Sequence, residues 1–486
     1  VKIQPTDLAV LCGYLLAMLA FGLWMGRRQR DAADFMLGGR AIPWWLVLFS
    51  IVATETSTVT FLSIPGFAWA NDLTWIQLPI GFAIGRLLVI VILLPGYFRG
   101  ELFTAYQVLH ERFGGTTKTV ASLLFVVTRT LADGLRLFLS AIVLQTVTGI
   151  PMEYAVVTLG VVTIVYTFLG GMRAVLWTDL IQFVVYVGGA ILAFWILVGK
   201  IDGGFAGFVT AAGEAGKLRA FDFGFAVDAP YQLWAGVIGG AVLSIASHGV
   251  DQLMVQRYLC ARSQRQAAWA LGLSGLVVVL QFGFFLLIGA ALFVHYDGTG
   301  QTFARSDRVF ATFIVDELPT PALGIVLGAV FSAAMSTLSS SLNSSATALA
   351  SDVWFPVFRP AASEAAKLRT VRAFTVMFGV LQIAVGIAGK GLDGTVVDGV
   401  LSIAGFVTGI VLGVFLLGIL TERVGEKAAL SGLVVGLATV SYFAFGTRVA
   451  WPWFALIGSG TTFLSGLAAS LVLPRAPRST PPDESR

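Results

Sequence analysis

Charge is what this chain of 486 residues has least of: Lys, Arg, Asp and Glu together make up 12% of it, while 57% is apolar before its 55 Gly residues are counted. Soluble domains carry about 25% charged residues and need them to cover their surface. A cytosolic enzyme, a nucleic-acid binder and a disordered scaffold are therefore excluded. Cysteine is nearly absent as well, and Cys12 and Cys260 alone cannot build a disulfide framework. The three histidines, His110, His248 and His295, stand far apart and show no metal-ligand spacing. The small positive excess, +4, reads as basic loops beside a bilayer rather than a surface for nucleic acid.

What the chain has instead is long apolar runs, with a mean hydropathy of +0.86. A helix needs about 20 apolar residues to cross a membrane, and the runs do not alternate as barrel strands do. The expectation is an all-α polytopic membrane protein of about 13 spans. Their limits fall near 7–26, 44–68, 78–98, 119–147, 153–171, 176–199, 231–256, 267–294, 320–352, 369–390, 396–420, 427–446 and 452–474. The first run follows a single Lys and precedes Arg27, Arg28 and Arg30, the reverse of a cleavable signal. The N-terminus is thus expected outside and the C-terminus in the cytoplasm, in a bacterial inner (plasma) membrane. In that orientation 20 Lys/Arg lie on the cytoplasmic side, 8 lie outside, and three (Arg86, Arg129 and Arg136) fall within spans. Dropping one span would reverse this asymmetry downstream. Residues 475–486 read as a disordered cytoplasmic tail with no soluble domain appended.

Polar groups inside a bilayer are costly, so they mark function first. In residues 49–65, FSIVATETSTVTFLSIP, seven of the eight residues from Ala53 to Thr60 are small, hydroxylated or acidic. β-Branched Thr and an intramembrane Glu55 weaken a helix there, and a break would free the Ala53 and Thr56 carbonyls for a cation. The structural alternative is a Thr-rich helix bonded back on itself. In residues 333–347, AAMSTLSSSLNSSAT, positions 333, 336, 337, 340 and 344 share a helix face. Ser336, Thr337, Ser339, Ser340, Asn343 and Ser344 offer neutral oxygens suited to a hard cation; the alternative is a small-residue packing seam. Asp179, in GGMRAVLWTDLIQ, is either an interfacial cap or an added negative charge for a second cation. Arg129, Asp133 and Arg136 share one face; Asp133 neutralises one Arg, and the surplus charge could clamp a carboxylate or serve as a structural ion pair. His248 is expected to pack or line a cavity. Asp251, Gln252 and Arg257 are expected to form a gate network or a solvated helix end.

Together ATETSTVTFLSIPG, GGMRAVLWTDLIQ, VDQLMVQRYLCARS and above all FSAAMSTLSSSLNSSATALASDVW resemble the sodium:solute symporter family over nearly the whole chain. The resemblance implies the LeuT-type fold, two inverted five-helix repeats with broken first helices. Its divisions would be 1–43, an extra N-terminal span and loop; 44–200, the first repeat; 201–230, an extracellular loop; 231–420, the second repeat; 421–474, two further spans; and 475–486, the tail. It implies a first sodium site from the carbonyls of Ala53, Thr56 and Ala333 with the hydroxyls of Ser336 and Thr337. A second sodium would fall on Asp179, Ser336, Ser339 and Ser340. Bacterial sialic-acid transporters within the family look nearest, but where they carry a carboxylate-binding Arg this chain has Ala132, with Arg129 and Arg136 about a turn away. Candidate solute residues are Glu55, Ser57, Thr60, Gln77, Arg129, Asp133 and Arg136.

The implied function is Na+-coupled import of a small polar solute, anionic or zwitterionic, by alternating access. One sodium is expected and a second is plausible from matching residue types. The partners are a small-molecule solute and the lipid bilayer, not nucleic acid, and a monomer is the expected functional unit. The chain is expected not to be an enzyme, because no nucleophile–base pair or metal motif stands in the spans. A proton-coupled carrier, and a sodium symporter for a neutral sugar or an amino acid such as proline, are the alternatives.

Overall fold

The computed structural model describes residues 3–26, 31–100, 102–303, 305–392 and 394–474. The expected tail and the cluster Arg27, Arg28 and Arg30 lie outside them. The described residues are helical throughout apart from connections and one isolated bridge, Ile42 to Ala261. The principal helices are α1 (Pro5–Gly26), α2 (Trp44–Glu55), α3 (Thr58–Ala70), α4 (Gln77–Ile92), α5 (Gly115–Thr148), α6 (Met152–Gly199), α7 (Gly240–Gly249), α8 (Gln252–Leu259), α9 (Gln264–Tyr296), α10 (Ala322–Ala348), α11 (Glu364–Ala388), α12 (Gly394–Leu420), α13 (Glu426–Gly446) and α14 (Phe454–Ala469).

Seven helices among the described residues are long and apolar enough to cross a membrane, and two bent pairs raise the number to nine. The 48-residue α6 holds two of the expected spans, because Gly171 takes φ 53° in its middle and breaks the helical path. The bent pairs are α2 with α3, and α7 (extended back to Ala235) with α8, each turning through 60°. These are the first helices of the two expected repeats. Large side chains such as Leu16, Val91 and Val184 are more than half exposed. Water would penalise that surface; lipid does not.

The centre of the molecule is α10, whose residues from Ala322 to Ala348 are all buried except Ile325. Most of its hydroxyls find carbonyl or side-chain partners, as burial demands, while those of Ser336 and Ser345 find none among the described residues. Asp7 of α1, itself buried, caps the N-terminal end of α10: its carboxylate accepts the Gly324 N–H at 2.9 Å and the Thr320 hydroxyl at 2.8 Å. A pair of small residues sets the second bent helix against α4. A Cβ added at Gly81 would stand 2.4 Å from the Gly236 carbonyl oxygen, and one at Gly85 2.3 Å from that of Ala241.

Candidate functional site

The break between α2 and α3 organises the site. Thr56 leaves the helix at φ −88°, ψ 97°, and Ser57 restarts it, its hydroxyl accepting the Thr60 N–H at 3.4 Å. Because α2 stops at Glu55, the carbonyls of Ala53, Thr54 and Glu55 lose their helical successors. Consecutive side chains then radiate to different neighbours.

Thr337 of α10 donates to the Thr54 carbonyl at 3.0 Å, and its hydroxyl stands 3.5 Å from the Ala333 carbonyl. Ala53, Thr56 and Ala333 are wholly buried. The Ser336 hydroxyl, on the same face, is buried with no hydrogen-bond partner among the described residues. A dry pocket edge of neutral oxygens with one orphaned hydroxyl fits a weakly held hard cation.

Beside it lies a fully buried ion pair. Arg257 of α8 meets Asp179 of α6 at 3.2 Å, and Ser50 donates to the same carboxylate oxygen at 2.5 Å. Arg257 also binds Ser50 at 2.9 Å, and binds Thr54 and Ser340. The expected second-cation residues do converge here, with Ser339 donating to the Ser336 carbonyl at 3.2 Å. The Asp179 charge is already paired with Arg257, which also binds Ser340. The other Asp179 oxygen, Oδ1, has no hydrogen-bond partner among the described residues, like both amide atoms of Gln182 one turn on.

Glu55 is held by Arg86 of α4, which also donates to Ser274 of α9 at 2.8 Å, and His248 of α7 stands 3.7 Å away. Thr56 accepts from Gln281 of α9, and Tyr186 of α6 binds the same amide at 2.9 Å. Arg86, Tyr186, Gln281 and the partnership of Arg257 were not among the site residues expected from sequence. The available signal was a lone charge or amide within an apolar helix, as in FAIGRLLVIV and VVLQFGFF.

On α5, Arg136 donates to Asp133 at 2.5 Å and is 30% exposed. Ser140, one turn on, stands 2.9 Å from the Thr58 hydroxyl, so this face of α5 lies against the start of α3 near Ser57 and Thr60. Two corrections follow. The row has no surplus positive charge, because Asp251 pairs with Arg129. Gln77 is no solute ligand in this structure: its amide donates to the Thr74 and Tyr231 carbonyls at 2.9 and 2.7 Å and accepts the Asp222 N–H at 3.2 Å. It pins a loop. Asp251, Gln252 and Arg257 are all buried, which removes the solvated-end reading for them.

Outside the spans, burial pushes the Asp72 carboxyl up, but hydrogen bonds from Thr74 and the Arg219 guanidinium outweigh it and hold the group below its ordinary value. Arg219 meets it at 2.8 Å. That pair ties the segment after α3 to the loop around residue 219.

A family model described as the sodium:solute symporter family matches residues 35–436. The sodium/sialic acid symporter SiaT of Proteus mirabilis is 29% identical over 96% of this chain and 95% of its own. The human sodium/iodide cotransporter is 28% identical over 92% of this chain and 70% of its own. A solved structure of a Na+-coupled sialic acid symporter, in a substrate-bound outward-open state and described as revealing a novel Na+ site, superposes with a TM-score of 0.90. It is 28% identical and covers 98% of this chain and 100% of that one.

Proposed function

The chain belongs to the sodium:solute symporter family, a multi-pass membrane carrier coupling solute to Na+, and we propose that its solute is a small carboxylate, sialic acid or another anion or zwitterion. The observation that carries the sodium assignment is the facing of α10 onto the broken α2: Thr337 on the Thr54 carbonyl at 3.0 Å beside an unpartnered Ser336 hydroxyl. The first ion takes the carbonyls of Ala53, Thr56 and Ala333 with the hydroxyls of Ser336 and Thr337. A second takes Asp179 Oδ1, Ser336 and Ser339, with Ser340 joining when Arg257 withdraws.

The solute is assigned to Ser57, Thr60 and the half-buried Arg136, with Glu55 setting the charge balance. Support comes from Ser140, one turn beyond Arg136, whose hydroxyl meets Thr58 at the start of α3, and from SiaT's solute. Charge of both signs at the site favours a zwitterion as the second reading. The repeats are assigned to 44–200 and 231–420, within thirteen spans. The N-terminus lies outside a bacterial plasma membrane and the monomer is the working unit.

External Na+ stabilises the outward-open state and completes the solute site. Rocking of the repeats then releases both inside. Each Na+ moving inward gains about 2.3 kcal/mol per 100 mV. The test is uptake of N-acetylneuraminate and a panel of small carboxylates into proteoliposomes, with choline replacing external Na+. Loss of uptake supports the reading, and undiminished uptake overturns it. A panel in which only neutral solutes move would overturn the carboxylate assignment alone.

A further inference from the structure

Four alternating charges run from the proposed solute site to the second bent helix: Arg136, Asp133, Arg129 and Asp251. Arg136 Nη1 stands 2.5 Å from Asp133 Oδ1, and Arg129 Nη1 stands 3.7 Å from Asp133 Oδ2. Arg129 is bonded to Asp251. Asp251 is no ordinary surface anion. It sits in the joint between α7 and α8 and caps α8, its other oxygen accepting the Leu253 N–H at 2.8 Å.

Two observations show that Arg129 has a second place to go. Asp133 Oδ2 is buried and has no hydrogen-bond partner among the described residues, although Arg129 stands within reach of it. A buried carboxylate oxygen without a donor is unfavourable, so it attracts Arg129. Beside the Arg129–Asp251 pair lies a small cavity lined by Tyr106, Phe125, Thr128, Val250 and Val411. The guanidinium also lies over the Phe125 ring, 5.8 Å from its centroid, and can slide along it without leaving an apolar support.

We propose that Arg129 is the positioning residue that couples solute binding to the joint between α7 and α8, moving from Asp251 to Asp133 when a carboxylate takes Arg136. The row is electrically balanced when empty. A solute carboxylate at Arg136 removes half of the positive charge that Asp133 sees. Asp133 then draws Arg129, its only other ion-pair partner among the described residues. Asp251 is released, and α8 is free to turn at the joint and widen the cavity toward the end of the molecule where α5 begins. Without solute the pair holds the joint closed, so sodium alone does not open that side.

This rests on the carboxylate reading of Arg136, and the experiment separates the two. Val411→Cys is placed in the cavity wall on a Cys12→Ser, Cys260→Ser background, and its modification by a small thiol reagent is timed in proteoliposomes containing Na+. Asp251→Asn and Arg129→Gln should each speed modification about tenfold with no solute present, the size of one lost ion pair that biases two states. Exchanging the charges, Arg129→Asp with Asp251→Arg, should restore slow modification, which a general loosening of the fold would not do. Equal rates in native and Asp251→Asn protein overturn the latch. Adding N-acetylneuraminate should speed modification of the native row and not of Asp133→Asn; an equal response in both overturns the coupling. If N-acetylneuraminate gives no Na+-dependent thermal shift, the sialic acid reading fails, while the solute-free rates still decide the latch.

Discussion

The two bent helices turn through the same 60°, yet different chemistry fills each break. Around the break between α2 and α3 the residues are ATETST, and the loosened carbonyls and hydroxyls are met by neutral oxygens of α10 at hydrogen-bonding distance. Between α7 and α8 a single carboxylate, Asp251, caps the second half and is gripped by Arg129. A break lined with neutral oxygens can accept a cation and give it up again, because no fixed charge holds it. A break closed by an ion pair is a joint: it has two positions, and charge selects between them. On the proposed reading, the same bend serves binding in one bent helix and movement in the other.

The largest expected effect tests what braces the first break. Arg257→Gln strands Asp179 without its cation in a dry site, and the cost should be about 3–5 kcal/mol, read as loss of expression and a lower thermal midpoint in detergent. Adding Asp179→Asn should recover part of that loss. If the double variant is as unstable as the single, the pair is not the brace. Next comes the cation itself. Ser336→Ala removes one neutral ligand, worth about 1–2 kcal/mol, so half-maximal uptake should need roughly tenfold more Na+. Unchanged sodium dependence would remove Ser336 from the site.

Arg136→Gln should raise the KM for an anionic solute by about tenfold, the loss of one charge-assisted contact, and leave a neutral solute unaffected. The smallest effect lies outside both breaks. Asp72 has a depressed pKa, so its contribution is present above the ordinary carboxylate value and is lost as pH falls through the depressed one. Solvent screening keeps it below about 1 kcal/mol. Hydrogen exchange around residue 219 should rise at acidic pH, and Asp72→Asn should produce the same rise at neutral pH.

Much of the first break was legible in the chain. The run ATETST is a poor helix in mid-membrane, and the hydroxyl-rich face of residues 333–347 announces oxygen ligands. The 48-residue stretch that folds as α6 also divides where Gly170 and Gly171 stand, as span lengths require. Partnerships were not legible. Arg257 and Asp179 are 78 residues apart, and each taken alone reads as a helix-end charge. Asp133 between two arginines suggested an unpaired positive charge until Asp251, more than a hundred residues on, was seen to claim Arg129. Gln77 looked like a solute amide, and only the backbone groups around it revealed that it was fully used.

The sequence by itself determined that the chain lives in a bilayer, roughly where it crosses, and which few charged groups lie at that depth, because the cost of burying charge depends on the residue and not on its neighbours. The tertiary structure alone decided which charge offsets which. Inside a low-dielectric core a carboxylate is a ligand, a brace or a latch according to the cation standing within a few ångströms of it, and no one-dimensional pattern fixes that distance.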